Sequence, residues 1–198
     1  MNLPNKISIT RICMIPVFVL FFFLDSVPFH FGIAAIIFVL AACTDFIDGY
    51  IARSRGLVTN LGKFLDPIAD KVLVATAMIL LLTMKDTLFA ATGDLANALY
   101  IASAIAISVI LARELIISAF RQIAAANGVV MAAEKLGKYK TACQDAAIFI
   151  LILAADITGG FGTALVWTGF GLFAVATILT VWSGISYVVK NKQVLQNK

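Results

Sequence analysis

The sequence predicts an all-α integral membrane protein, a bundle of six transmembrane helices with both termini in the cytoplasm and a short interfacial segment at the N-terminus. Three observations carry this prediction: the composition, the lengths of the apolar segments and the distribution of basic residues. Of 198 residues, 62% are hydrophobic and 13% are charged. Soluble domains are usually about 45–50% apolar and about 25% charged, so soluble, disordered, fibrous and disulfide-scaffold classes are excluded.

Six apolar segments follow one another, and each is interpreted as a helix because backbone groups in hydrocarbon need internal hydrogen-bond partners. Several segments are shorter than the roughly 20 residues that a helix needs to cross a bilayer. We therefore extend the first back to Ser8, the second forward to Arg53 and the third back through Pro67. The whole chain, 1–198, is interpreted as one domain. The predicted apolar cores are 12–24, 31–43, 72–82, 95–111, 142–155 and 161–189.

The basic residues predict the orientation of this bundle, since Lys and Arg favour cytoplasmic segments. If the N-terminus lies inside, Lys85 is the only one of the 15 basic residues in an outer loop. The predicted outer loops are 25–30, 84–94 and 156–162. This asymmetry accounts for the net charge of +4 without nucleic acid as a partner. It predicts a bacterial cytoplasmic membrane protein whose working face is cytoplasmic, near anionic lipid or an anionic substrate.

Four carboxylates within one short segment are the main functional candidates: Asp45, Asp48, Asp66 and Asp70. Charges at the edge of a membrane span cost about 2.5–3.5 kcal/mol each and are functional candidates by default. The first two lie three residues apart and the last two lie four apart, so each pair shares a helix face. Asp66 precedes Pro67, which predicts an N-cap with proline at the first helical position. A loop over 55–62, containing Gly62, would then join two antiparallel helices.

Four facing carboxylates repel one another, and bound divalent cations would relieve that repulsion. Oxygen ligands suit Mg²⁺, Mn²⁺ or Ca²⁺ better than Zn²⁺. Gly49 and Ala52 would let a ligand approach the backbone closely, and Arg53 is placed for a phosphate. The structural alternative, in which these acids only cap helices and pair with neighbouring basic groups, explains Asp66 but not Asp45 or Asp48.

The segment from Asp45 to Asp70 has the spacing D-x2-D-G-x2-A-R-x8-G-x3-D-x3-D at every fixed position. In this it resembles the CDP-alcohol phosphatidyltransferase family of integral membrane enzymes. Segments 2–17 and 111–144 also resemble members of this family, in particular those that use sn-glycerol 3-phosphate. The resemblance implies transfer of the phosphatidyl group of CDP-diacylglycerol to that alcohol, giving phosphatidylglycerol phosphate and CMP in phospholipid biosynthesis.

The resemblance also implies roles for individual residues and a homodimeric assembly. Two cations, Mg²⁺ or Mn²⁺, are expected on the four aspartates, and Asp70 is expected to deprotonate the attacking hydroxyl. The residues expected to bind the CDP nucleotide are Asn5, Asp48, Gly49, Ala52, Arg53 and Gly62.

The phosphate of the acceptor needs cationic partners, and basic residues cluster near the fourth cytoplasmic connection. We predict that Arg113, Lys138 and Lys140 bind it because they lie at helix ends near the interface. Their alternative role is topological charge or contact with anionic headgroups.

Two other functional hypotheses remain open from the sequence. The first keeps the chemistry with another alcohol: inositol phosphate, serine or phosphatidylglycerol. The second, more remote, is a divalent-cation transporter using intramembrane aspartates, although no acidic path continues to the predicted outer face.

Overall fold

The computed structural model describes residues 3–55, 60–126 and 135–191, and the side chains of 9–44, 68–125 and 136–191. Within these ranges the regular structure is helical and contains no strand. The all-α prediction is therefore confirmed for the described part of the chain. The α-helices are α1 (Leu3–Phe22), α2 (His30–Arg55), α3 (Asn60–Thr83), α4 (Ala96–Ala126), α5 (Lys135–Ala154) and α6 (Gly159–Lys190).

Each predicted apolar segment corresponds to one of these helices, but α1 begins at Leu3, before the predicted Ser8, and α4 and α5 are longer than predicted. The apolar core of the fourth segment ends at Leu111, whereas α4 continues to Ala126. Neither glycine nor proline interrupts this stretch, and apolar residues continue at helical spacing through Ile117 and Phe120, both buried. The helix α5 likewise begins before its predicted apolar core, because it includes the polar residues from Lys135 onward.

The predicted start of α3 is wrong. Asp66 and Pro67 lie inside a helix that already begins at Asn60, so Asp66 is not an N-cap and Gly62 is not in a loop. The sequence ahead of the proline has its own helical periodicity, with Leu61, Phe64 and Leu65 at the spacing of one apolar face. That periodicity outweighs the local signal of an Asp-Pro pair.

The predicted outer loop 84–94 is instead a folded connection. A π-helical turn covers Lys85–Phe89 and a 3₁₀ segment covers Ala90–Leu95. Leu88 and Phe89 are buried in the core, which fixes this connection against the bundle. Gly93 has φ +62°, which glycine adopts without steric cost, and it kinks the 3₁₀ segment shortly before α4 begins.

A continuous apolar core runs through the bundle, with large side chains such as Phe18, Phe38, Ile110 and Leu151 fully or almost fully buried. Large apolar side chains also point outward, among them Ile79, Ile101, Leu115 and Trp182. Soluble monomers rarely expose such extensive apolar surface. This distribution is typical of a bundle that faces lipid.

Two helical stretches within the described residues, Lys85–Ala125 and Gly159–Lys190, are long and apolar enough to cross a membrane. Only 17% and 33% of their most apolar windows are buried inside the bundle. The core helix of a soluble protein would be mostly buried, so this exposure favours membrane spans. The other described apolar helical segments include Ile9–Phe22 and His30–Thr44, which are shorter.

Helix packing places α3 centrally, in contact with α1, α2, α4 and α5. The most extensive described contacts are between α5 and α6 and between α1 and α2. At the start of α2, the backbone N–H of Gly32 donates to Asp156 Oδ2 at 2.7 Å, which ties this helix to the connection between α5 and α6. The carboxylate accepts one of the N–H groups that a helix start leaves without a helical partner.

Candidate active site

The acid-rich motif lies on two packed helices, α2 and α3. The connection between them is only residues 56–59, a length typical of antiparallel helix pairs. Asp45 on α2 and Asp70 on α3 lie at similar distances along the chain from this connection, so an antiparallel pair would bring the two acidic pairs to the same end of the bundle. The predicted site residues whose side chains lie outside the described residues are Asn5, Asp45, Asp48, Gly49, Ala52, Arg53, Gly62 and Asp66.

The structure describes Asp70 as a half-buried residue that lines a cavity of about 300 Å³ between α3, α4 and α5. Apolar residues such as Met78 and Leu111 form much of the wall. The cavity therefore combines a largely apolar wall with a small set of charged and polar groups, which is typical of small-molecule sites. Its polar lining is Asp70, Lys71, Glu114, Lys140, Thr141, Gln144 and Asp145.

Lys140 is the predicted acceptor-site residue that lies in this cavity wall. Its side chain is only 6% exposed, and its ammonium donates to Oε1 of Glu114 on α4. A buried ammonium is costly unless it is paired and hydrogen-bonded, and Glu114 provides that partner. The pair joins α5 to α4 beside Asp70.

Arg113 reaches the cavity only through Glu114. Its Nη1 donates to Oε1 of Glu114 at 3.1 Å, while its Nη2 donates to Ser183 Oγ on α6 at 3.0 Å. A Cβ at position 184 would approach Arg113 Cγ to 3.0 Å, so the absence of a side chain at Gly184 lets the arginine pack closely on α6. Arg113 thus lies behind Glu114 rather than in the cavity wall.

Lys138 is exposed on α5 and does not line this cavity. It lies two residues before Lys140, so the two side chains project from different faces of the helix. Of the three predicted acceptor-site cations, the structure therefore brings one, Lys140, to the same cavity as Asp70.

Lys71 also lines the cavity, and hydrogen bonds connect it to α4. Its ammonium donates to Ser118 Oγ, which donates to the backbone carbonyl of Glu114 at 2.6 Å. The residue next to Asp70 is in this way tied to the same turn of α4 that carries Glu114.

Arg11 lies at the junction of α1 and α2. It is fully buried, and its Nε donates to Thr44 Oγ1 at 3.2 Å. Thr44 immediately precedes Asp45, so this contact anchors the turn of α2 from which the acidic motif begins.

Sequence reasoning missed Glu114, Ser118, Gln144 and Asp145 as part of the site. Glu114 offered one signal: it lies within the apolar run from Ser108 to Phe120, where a carboxylate is a functional candidate by default. Gln144 is buried and its amide donates to Met78 Sδ at 3.6 Å. Its spacing of four from Lys140 places both on one helix face.

Only part of the predicted cation site can be compared with the structure. Among the side chains that the structure describes, no group of three or more His, Cys, Asp or Glu could hold a metal. Asp70 is the one predicted ligand described, and its carboxylate lines the cavity. The other three predicted ligands are also aspartates on the same two packed helices, and an all-carboxylate donor set suits Mg²⁺ or Mn²⁺.

Comparison with known proteins decides the family. The profile of the CDP-alcohol phosphatidyltransferase family matches residues 1–183. The chain belongs to this family. The resemblance of the Asp45–Asp70 motif to CDP-alcohol phosphatidyltransferases is thereby confirmed over nearly the whole sequence.

Several relatives in this family are similar over nearly the whole of this chain. A CDP-diacylglycerol–glycerol-3-phosphate 3-phosphatidyltransferase of Bacillus subtilis (strain 168) is 37% identical, covering 98% of this chain and 97% of the relative. The protein of the same name from Escherichia coli (strain K12) is 38% identical, covering 94% and 93%. A cardiolipin synthase (CMP-forming) of Oryza sativa subsp. japonica is 35% identical over 98% of this chain but 59% of its own length.

Proposed function

We propose that this chain transfers the phosphatidyl group of CDP-diacylglycerol to sn-glycerol 3-phosphate, giving phosphatidylglycerol phosphate and CMP. The observation that carries the proposal is the cavity in which a carboxylate, Asp70, and a buried cation, Lys140, line a common space. A small phosphorylated alcohol needs these two groups, one at its hydroxyl and one at its phosphate. The names of the full-length bacterial relatives support the same reaction.

In this proposal Asp45, Asp48, Asp66 and Asp70 hold two divalent cations, Mg²⁺ or Mn²⁺. When bound, such cations neutralise the pyrophosphate of the donor and stabilise the charge that develops on departing CMP. All four residues are carboxylates on α2 and α3, two helices that contact each other, which supports a shared site.

Asp70 acts as the general base on the acceptor. Its carboxylate takes the proton of the attacking hydroxyl, whose oxygen forms a bond to the phosphorus that carries the diacylglycerol. The bond between that phosphorus and the bridging pyrophosphate oxygen breaks, and its electron pair leaves with CMP. A carboxylate must lie within hydrogen-bond reach of the hydroxyl to do this, and the exposure of Asp70 to the cavity supports that role.

The nucleotide of the donor binds along the end of α2 and the start of α3. We assign it to Asn5, Asp48, Gly49, Ala52, Arg53 and Gly62 from the family motif. Small residues at 49, 52 and 62 would allow the cytidine nucleotide to approach the helix backbone closely, and the buried contact of Arg11 with Thr44 supports an ordered wall beside it.

The phosphate of the acceptor binds to Lys140, with Arg113 and Lys138 as the further cations. The support differs between them, because Lys140 lines the cavity, Arg113 contacts Glu114 behind its wall, and Lys138 is exposed. An ammonium binds phosphate as a compact charge, and a guanidinium adds bidentate geometry.

The proposed setting is a bacterial cytoplasmic membrane, with six spans, both termini inside and the active site facing the cytoplasm. The exposed apolar surface of α4 and α6 supports insertion into lipid. The basic residues near this end of the bundle support its cytoplasmic orientation. Homodimer formation also belongs to this proposal and rests on family resemblance.

A second candidate acceptor is phosphatidylglycerol, because one relative is named a cardiolipin synthase. Its two acyl chains would have to remain in lipid while its headgroup enters the cavity. The small volume of the cavity and the buried Lys140 favour the water-soluble phosphorylated alcohol.

The test is a substrate panel with purified protein in detergent. Labelled glycerol 3-phosphate, serine, inositol phosphate or phosphatidylglycerol is supplied with CDP-diacylglycerol and either Mg²⁺ or Mn²⁺. We expect release of CMP and a phosphatidylated product with glycerol 3-phosphate, and no turnover when a chelator removes the cations. Turnover of another alcohol in its place would contradict the acceptor assignment while keeping the chemistry.

A further inference from the structure

We propose that Glu114 is the positioning residue of the acceptor-phosphate site and that it acts by holding the Lys140 ammonium at the cavity wall. This inference rests on the function proposed above. Glu114 lies outside the Asp45–Asp70 motif, and it touches neither acceptor nor donor in this proposal. Its effect on the reaction passes through Lys140.

Lys140 is buried in the cavity wall. Its side chain is 6% exposed, so its ammonium has little water to compensate the charge. The charged groups that line the same cavity are Asp70, Lys71 and Asp145 in addition to Glu114. Glu114 accepts a hydrogen bond from the Lys140 ammonium. Removing one partner of a buried pair leaves the other charge uncompensated, so the place of Lys140 depends on Glu114.

Glu114 is itself held in place by Arg113. Arg113 Nη1 donates to the same Oε1 at 3.1 Å, and Arg113 is anchored on α6 through Ser183 Oγ at 3.0 Å. Gly184 allows that close approach. A chain of contacts therefore runs from α6 through Arg113 to Glu114 and on to Lys140 of α5. Because Arg113 has Ser183 as a second partner, its position depends less on Glu114 than that of Lys140 does.

The Lys140 ammonium has more hydrogen-bond donors than its bond to Glu114 uses. Lysine has three N–H donors, and Oε1 of Glu114 accepts one of them. The same ammonium can therefore hold a carboxylate and a phosphate together. Glu114, Arg113 and Lys140 sum to one positive charge, which keeps the trio attractive to a phosphate.

The test compares Glu114→Gln with wild-type protein in the acceptor assay. The amide keeps the size of the side chain and removes the charge. We expect the KM for glycerol 3-phosphate to rise about tenfold, equivalent to about 1.4 kcal/mol, with the KM for CDP-diacylglycerol and kcat changed far less. The matched control is Asp94→Asn, which removes an equal charge from an exposed residue just before α4 and is expected to match wild type.

A double-variant comparison identifies the route of the effect. Lys140→Met and the combined Glu114→Gln/Lys140→Met protein should share one KM for glycerol 3-phosphate, because Glu114 acts through Lys140. The double variant removes both charges of the pair, and in Lys140→Met the Glu114 carboxylate keeps Arg113 as a partner, so the comparison holds even where Glu114→Gln alone does not fold. A further rise in the double variant would overturn the inference.

The remaining outcomes separate this inference from the proposed function. Wild-type protein that uses glycerol 3-phosphate, together with a Glu114→Gln protein whose two KM values change equally, would overturn the positioning role alone. Wild-type protein that makes no phosphatidylglycerol phosphate would overturn the proposed function and this role with it.

Discussion

At the scale of single residues, the contacts of Glu114 bear on which carboxylate of the cavity can act as the general base. Asp70 lies on α3, the helix that continues the acid-rich motif, whereas Glu114 is engaged by Lys140 and Arg113. A carboxylate already bound by two cations is a poor proton acceptor, since both contacts favour its charged form. The assignment of the general base to Asp70 thus agrees with the environment of Glu114 as well as with the family motif.

Asp70→Asn is expected to abolish turnover while leaving binding of CDP-diacylglycerol measurable. The amide cannot accept the hydroxyl proton and is a weaker cation ligand, but other motif residues that bind the donor remain. The measurement is CMP release together with binding of a labelled donor. Asp86→Asn, an exposed change on the connection before α4, is the control. Turnover near the wild-type rate in Asp70→Asn would remove this residue as the base.

At the scale of helices, the pairing of α5 with α6 depends on a glycine at their crossing. A Cβ at position 169 would lie 2.6 Å from the side chain of Leu151, which is 1% exposed. At position 171 on the same helix, a Cβ would meet nothing within 4 Å. Small residues that allow close backbone approach are a general device of membrane helix packing.

Gly169→Leu is therefore expected to destabilise the protein, whereas Gly171→Leu is not. Overpacking a filled core costs typically about 1–3 kcal/mol, and Gly171 is exposed on the outer face of α6. The measurement is the thermal unfolding midpoint of both variants in one detergent, with wild type alongside. Equal midpoints for the two variants would mean that the α5–α6 crossing does not depend on this close approach.

The helices also illustrate what sequence can and cannot predict. Apolar length and periodicity locate α2 and α6 almost to the residue, because both are bounded by strong changes in composition. The start of α3 was predicted wrongly since a local Asp-Pro signal conflicted with longer-range periodicity around it. The Glu114–Lys140 pair could not be predicted, because the residues lie 26 positions apart on different helices and no local rule relates them.

At the scale of the whole molecule, charge is concentrated at one end of an otherwise apolar bundle. The described cavity, the buried Lys140 and the acid-rich helices all belong to the end where α2 and α3 connect. An insoluble donor can reach such an end from lipid, and a phosphorylated acceptor can reach it from water. Because the acceptor would arrive from the water of the cytoplasm, we predict that this end of the bundle faces the cytoplasm. The end includes the connection between α2 and α3 and the C-terminal part of α4.

Cysteine labelling in intact cells would test that topology along one helix. In a protein whose native Cys13, Cys43 and Cys143 are replaced, Asp94→Cys and Gln122→Cys introduce single thiols at exposed positions near opposite ends of α4. The helix between them rises about 40 Å, more than the hydrocarbon core of roughly 30 Å. A membrane-impermeant maleimide should label position 94 from outside, and position 122 only after permeabilisation. Labelling of position 122 in intact cells would contradict a cytoplasmic active site, because Glu114 and the cavity lie on the same part of α4.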